Sequence, residues 1–404
     1  MHGAIPVLIK VGGMPGKKPI RILHIITRME EGGAPRMLLG LFSRLDKAEF
    51  VQHLASGPSP TGNDLLFDAG EMGMTIYKIP TLARNPNPLQ DIRSLVFLIA
   101  LIKEGTYDII HTHTSKAGFI GRLAAHRAGK RRVIYSPHGN IFTGYFSRPE
   151  TWVYTLMERA AARWCSRIVT LSGIGAEQFL AKKIGKRAHY RPIPNGIDIS
   201  SFVTAKNRSG ARRELGWGKQ DIGIAAVGRL EVIKGHRDLV AAAPHIVDGL
   251  KNIGFVRFLI VGDGPEMASL QAKVLRLGLA KRFSFVGFRK DVAYLLSAAD
   301  LLAMPSLNEG MGLSIVEAMV LSLPVVATDV GGISDVVEDG VTGILVPPRE
   351  PKSLANSCVD ILKDPKRAMS MGHAGKKRAM AYFDIERMIR SYASLYRELM
   401  REGI

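Results

Sequence analysis

The chain alternates short apolar runs with longer stretches in which polar and apolar residues mix, from one end to the other. In the first half, Ile20 to Thr27, Phe50 to Ser56, Thr75 to Ile79, Tyr107 to His111, Val133 to Ser136, Arg167 to Leu171 and Ala188 to Pro192 read as strands with helical stretches between them. A second series begins at Ile222 and continues through Phe255 to Val261, Phe283 to Val286, Leu301 to Met304, Val325 to Ala327 and Gly343 to Leu345. Helices follow near Pro351 to Leu362 and Ala368 to Tyr382, and Ile385 to Arg401 closes the chain as an amphipathic helix. Alternation of this kind predicts mostly parallel sheets covered by helices on both faces. The expected fold is therefore α/β, with two doubly wound, Rossmann-like domains facing a cleft. A turn at Pro194-Asn-Gly-Ile-Asp198 and the polar stretch Ser200 to Ser209 place a linker at residues 199–209. It separates a first domain at 19–198 from a second at 210–384, with residues 385–404 as the last helix and residues 1–18 as a mobile extension.

Length agrees with two domains, because 404 residues exceed the usual size of one core. The longest apolar run, Leu95 to Ile102, falls short of the roughly 20 residues that span a membrane. Cys165 and Cys358 lie in different halves and supply neither a disulfide framework nor a metal quartet, so they read as reduced, buried thiols of a cytosolic protein. The net charge of +19 changes the picture more. Residues 1–198 hold 27 Lys and Arg against 14 Asp and Glu, whereas the rest holds 28 against 22. The excess gathers at Arg127 to Arg132 and Lys182 to Arg187, and such a field draws anionic lipid. Nucleic acid fits less well, since the basic runs lack interleaved aromatics and no stacking platform, finger or helix-turn-helix pattern occurs.

Candidate chemistry concentrates at the ends of predicted strands. Glu309-Gly-Met-Gly-Leu-Ser-Ile-Val-Glu317 joins the strand at Leu301 to a helix. Gly310, Gly312 and Leu313 bring backbone N–H groups to a helix N-terminus that favours phosphate. Glu309 and Glu317 flank that terminus from two sides. Upstream, Gly228-Arg-Leu-Glu-Val-Ile-Lys234 sets two cations, Arg229 and Lys234, beside the same region, an arrangement suited to a diphosphate. In the first half, Arg28-Met-Glu-Glu-Gly-Gly-Ala-Pro-Arg36 follows the first strand; Gly32 and Gly33 permit close approach of an anion, and Pro35 suits the first helical position. His111-Thr-His-Thr-Ser-Lys116 ends another strand, with Ser115 as a candidate helix cap and His111 and His113 as hydrogen-bonding residues. Ser136-Pro-His-Gly139 presents His138 at a strand terminus, before an aromatic loop at Phe142, Tyr145 and Phe146. No Asp-x-Asp occurs, so no carboxylate-held metal is expected.

From about Pro19 to the C-terminus, this order of elements closely resembles the family 4 retaining glycosyltransferases, with the two-domain arrangement called GT-B. The resemblance implies transfer of a glycosyl unit from a nucleoside diphosphate sugar to a lipid-linked saccharide in cell-surface polysaccharide synthesis, with retention, no cofactor and no metal. It assigns His138, Arg229, Lys234 and Glu309 to the reaction. Donor binding falls to Gly32, Gly33, Arg229, Lys234, Gly287, Arg289, Glu309, Gly310, Gly312, Leu313 and Glu317, with backbone near Gly287 to Arg289 reading the base. His111, His113, Ser115, Lys116 and Tyr145 lie on the acceptor side. Family members commonly carry Glu where this chain has Pro35. The expected location is cytoplasmic, peripheral at the inner face of the plasma membrane. A nucleotide-sugar epimerase or hydrolase on the same fold, and a basic nucleic-acid-binding protein, are the alternatives.

Overall fold

A computed structural model describes residues 18–59, 65–139, 142 and 147–403. The expected extension therefore lies, except for Lys18, outside the described residues, as do Tyr145 and Phe146. The first half forms β1 (Ile20–Ile26), β2 (Phe50–Ser56), β3 (Thr75–Lys78), β4 (Ile109–His113), β5 (Val133–Ser136) and β6 (Arg167–Ile168). The second forms β7 (Ile222–Val227), β8 (Val256–Val261), β9 (Phe283–Phe285), β10 (Leu301–Met304), β11 (Val325–Thr328) and β12 (Gly343–Val346). Each half folds into a six-stranded sheet, ordered β3-β2-β1-β4-β5-β6 and β9-β8-β7-β10-β11-β12, and neighbouring strands pair in parallel. The central strands are mostly apolar because helices cover both faces, with polar residues gathered toward their carboxyl ends; β4, β5, β10 and β11 are buried along their whole length.

In both sheets the order reverses beside the first strand, between β1 and β4 and between β7 and β10. Neighbouring loops diverge there and open a crevice at the carboxyl ends of the strands, where ligands of open α/β sheets bind. Four of the segments singled out above follow these same four strands.

Two crossings join the halves. Ile197 N–H donates to Phe383 O (2.9 Å), and Ile385 N–H donates to Ile197 O (3.0 Å), so the outgoing and returning chains run paired. Gly196 permits this approach: a Cβ there would stand 2.4 Å from Ile385 Cα. The last helix, Ile385–Arg401, then packs on the first sheet, burying Met388, Tyr392, Tyr396 and Leu399 against Ile22, Phe50 and Ile109.

Two expectations change. Ala188 to Pro192 is not a strand: a short turn at Arg187–His189 precedes a single bridge between Ile168 and Tyr190. Arg191 and Ile193 still donate to Ile168 O and Thr170 O, but Pro192 and Pro194 have no N–H with which to continue a ladder. The polar stretch 199–209 carries the helix Ile199–Thr204 and opens the helix Arg208–Glu214, and Ile199 and Phe202 pack against the second core.

Candidate active site

The loops after β7 and β10 meet at an ion pair. Lys234, in a short turn at Val232–Lys234, places its Nζ 2.5 Å from Glu309 Oε1, and Ser306 Oγ donates to the same oxygen at 2.9 Å. Glu309 is almost fully buried, so partners rather than water hold its carboxylate. Arg229 is half exposed and pairs with Glu231 at 3.0 Å. Beneath this loop His236 is buried, with Nε2 3.8 Å from where a Cβ of Gly228 would stand.

The helix Leu313–Val320 starts beside this pair, capped by Gly312 in the left-handed region at φ 77°, a conformation that glycine adopts without strain. Glu317 lies inside that helix, yet its side chain meets the first half: Arg36 Nη1 stands 3.4 Å from Glu317 Oε1, and Arg36 Nε donates to Glu31 Oε1. Burial raises the Glu317 carboxyl above its ordinary range, Arg36 opposes that rise and Glu31 adds to it. Gly32 caps the helix Gly33–Arg44, which puts Pro35 at the third helical position, still within the first turn, rather than the first. A Cβ on Gly33 would be 3.3 Å from Leu313 Cδ1, so the glycine loop and the phosphate-favouring helix start face each other across the cleft.

Arg28 opens that loop and pairs with Glu30 at 2.7 Å. Burial lowers its guanidinium, Glu30 opposes this, and the like charges of Arg84 and Arg229 lower it further. Cations from both halves therefore crowd one region, which an anion would relieve.

His138 follows β5 with φ 58°, a strained conformation for a residue with a side chain. Its carbonyl oxygen and Gly139 Cα lie 3.1 and 3.2 Å from where a Cβ of Gly310 would stand, so the His138 and Glu309 segments are in contact. Pro137, Gly139 and Leu171 line one side of the crevice there, and Glu309, Gly310 and Gly332 the other. Ile174 N–H donates to Asp335 at 3.0 Å nearby, a further bond between the halves.

Several sequence-predicted positions stand elsewhere. His111 and His113 are fully buried and cannot touch an acceptor. His111 bonds Tyr396 OH (2.9 Å) and Ser136 Oγ (2.8 Å), while His113 bonds His24 and His138. His24, His111 and His113 cluster closely, but all six ring nitrogens already pair with protein groups, Gln52 Oε1 taking His24 Nε2 at 3.2 Å. Ser115 does not cap its helix; it is the first helical residue, and Thr114 at φ 63° occupies the cap. Lys116 pairs with Asp91 and donates to Asn85 O, each at 2.6 Å. Arg289 is engaged by Asp291 (2.6 Å) and Glu214 (3.0 Å), while Gly287 O accepts from Gly262 N–H. Arg28, Arg36 and His24 were not singled out. Their signals are present in the sequence: two cations flank the glycine pair, and one imidazole interrupts an apolar strand.

Known proteins share this arrangement. A family model described as Glycosyltransferase Family 4 matches residues 31–201, and one described as Glycosyl transferases group 1 matches 221–364. The UDP-Gal:alpha-D-GlcNAc-diphosphoundecaprenol alpha-1,3-galactosyltransferase of Escherichia coli is 30% identical over 383 residues, covering 94% of this chain and 97% of the relative. The crystal structure of Anabaena HepE with UDP and glucose superposes with a TM-score of 0.79 at 24% identity, over 94% of this chain and all of that one. WaaG, a glycosyltransferase involved in lipopolysaccharide biosynthesis, superposes with a TM-score of 0.73 at 18% identity, over 93% and 99%. Matched along both halves and across almost its whole length, the chain belongs to the family 4 glycosyltransferases, of GT-B architecture.

Proposed function

We propose that this glycosyltransferase moves a glycosyl unit from a nucleoside diphosphate sugar, with retention and without a metal, to a lipid-linked saccharide at an anionic membrane surface. The observation that carries the reading is the Lys234–Glu309 pair beside Arg229 and the Leu313 helix start, facing Gly33 across the crevice. Lys234, Arg229 and the helix N–H groups bind the diphosphate and stabilise the charge it gains as its bond to the sugar C1 breaks. Glu309 accepts from hydroxyls of the sugar, and Glu317 exchanges Arg36 for the ribose hydroxyls. The acceptor oxygen bonds C1 on the face the diphosphate leaves, and its proton passes to the departing phosphate oxygen. The Escherichia coli relative, whose name gives UDP-Gal as donor and a diphosphoundecaprenol-linked sugar as acceptor, supports both substrate classes.

Surface chemistry supports the membrane location. On the helix Pro88–Glu104, Leu89, Ile92 and Val96 form one exposed apolar stripe, and Trp152 is exposed on the helix Arg148–Ala161. Both helices flank the helix Ser115–Arg127, so the residues share one side of the first sheet. Among the described residues no helix is long and apolar enough to cross a membrane. Lys130 and Arg132, by contrast, are tied to Tyr107 O and Leu399 O, so part of the basic run anchors the fold.

The test is release of nucleoside diphosphate from a panel of nucleotide sugars, with and without polyprenyl-diphosphate-linked acceptors and with and without EDTA. Acceptor-dependent release that survives EDTA, with an unchanged anomeric configuration by NMR, is expected. Release that needs Mg²⁺ or Mn²⁺, or an inverted product, overturns the mechanism.

A further inference from the structure

His138 ends a hydrogen-bonded chain with a direction. Gln52 Nε2 donates to Leu41 O at 3.1 Å, which turns Gln52 Oε1 toward His24 Nε2 at 3.2 Å. An amide oxygen only accepts, so His24 carries its proton on Nε2. A neutral imidazole has one N–H, and His24 Nδ1 must therefore accept from His113 Nε2, 3.1 Å away. By the same rule His113 Nδ1 accepts from His138 Nε2 at 3.0 Å. What remains is His138 Nδ1, unprotonated, shielded from water and, among the described residues, without a partner. Burial keeps the rings neutral, pushing His24 and His138 down to about 3 and His113 well below its ordinary value.

We infer that Gln52, His24 and His113 are positioning residues that fix His138 as the Nε2–H tautomer, so that its Nδ1 lone pair selects a hydroxyl donor on the transferred sugar. This rests on the glycosyltransferase reading and deepens it. The His138 backbone meets the Gly310 segment, and a nitrogen lone pair accepts a hydroxyl hydrogen and repels a carboxylate. The sugar class is then a neutral, hydroxyl-bearing glycosyl unit rather than a uronic acid, and a sugar lacking that hydroxyl leaves the buried acceptor unpaired. The direction is set more than one residue away from any substrate, at the Gln52 amide.

Long-range ¹H–¹⁵N correlation spectra of histidine-labelled protein report the tautomer of each ring without an activity assay. Nε2–H is expected at His24, His113 and His138; Nδ1–H at His138 overturns the inference. Gln52→Leu removes the terminal acceptor and should change the His138 tautomer, with about a 10-fold loss in kcat/KM, the equivalent of one ordinary hydrogen bond. Gln52→Glu keeps the acceptor and should retain both tautomer and turnover. A His138 tautomer indifferent to Gln52→Leu, in a variant with native melting, overturns the relay as its cause. A donor preference for uronic acid overturns the selection. If the spectra are as expected but no nucleotide sugar turns over, the relay stands and the transferase reading fails.

Discussion

Glu317 is the residue whose partner the sequence does not announce. Its carboxylate is buried on a helix of the second half, yet its ion pair comes from Arg36 on the first, 281 positions earlier. Glu317→Ala should raise the donor KM more than it lowers kcat, because ribose contacts persist from ground to transition state. An unchanged KM with a collapsed kcat would make Glu317 a catalytic group. The buried histidines predict acid sensitivity. His24 is held near 3 and His236 near 4 by burial, against 6.5 in the unfolded chain, so below 6.5 the unfolded chain binds protons that the folded one refuses. Their contribution is complete above about pH 6.5 and is lost as pH falls toward those values, at about 1 to 2 kcal/mol for each by pH 5. Urea midpoints that do not move between pH 7.5 and 5 would contradict this. Residue type and strand-end position exposed His138, Lys234 and Glu309 in the sequence. The depth of His111 was not legible, because the cover that hides it is Tyr396, 285 positions later.

Elements were more legible than residues wherever burial alone decides them. Runs such as Leu301 to Met304 and Val256 to Val261 are apolar or nearly so on both faces and permit little but a central parallel strand. Legibility failed where the ladder depends on missing donors, at Pro192 and Pro194, and residues 199–209 carry a helical turn at Ile199–Thr204 that their composition did not announce. The helix Ser115–Arg127 shows how an element is pinned. Arg122, fully buried, meets Glu158 through Nη2 at 2.8 and 2.9 Å and stacks 3.7 Å above the Tyr135 ring. Glu158→Ala strands that guanidinium and should cost about 3 to 5 kcal/mol of stability, measured by chemical denaturation. A loss below about 1 kcal/mol would mean that water reaches Arg122. The closing helix also carries ion pairs, though more exposed ones, with Glu398 taking Arg167 and Arg191 at 2.9 Å each. Part of the basic excess in the first half is thereby spent on structure.

At the scale of the whole molecule, one topology is repeated twice, and the loops after β1 and β5 stand opposite those after β7 and β10. Charge and exposed apolar side chains then decide where the molecule works. Ile92→Glu with Val96→Glu should abolish co-sedimentation with anionic vesicles while leaving melting unchanged, since both side chains are solvent-exposed. Equal binding of the variant would move the contact to the basic runs alone. The central claim is that Lys234 stabilises a leaving diphosphate in this crevice. Single-turnover transfer by folded Lys234→Ala tests it most directly. A chemical step slowed by about 100-fold or more is expected in protein that remains folded; a rate within about threefold of the unaltered protein would contradict it.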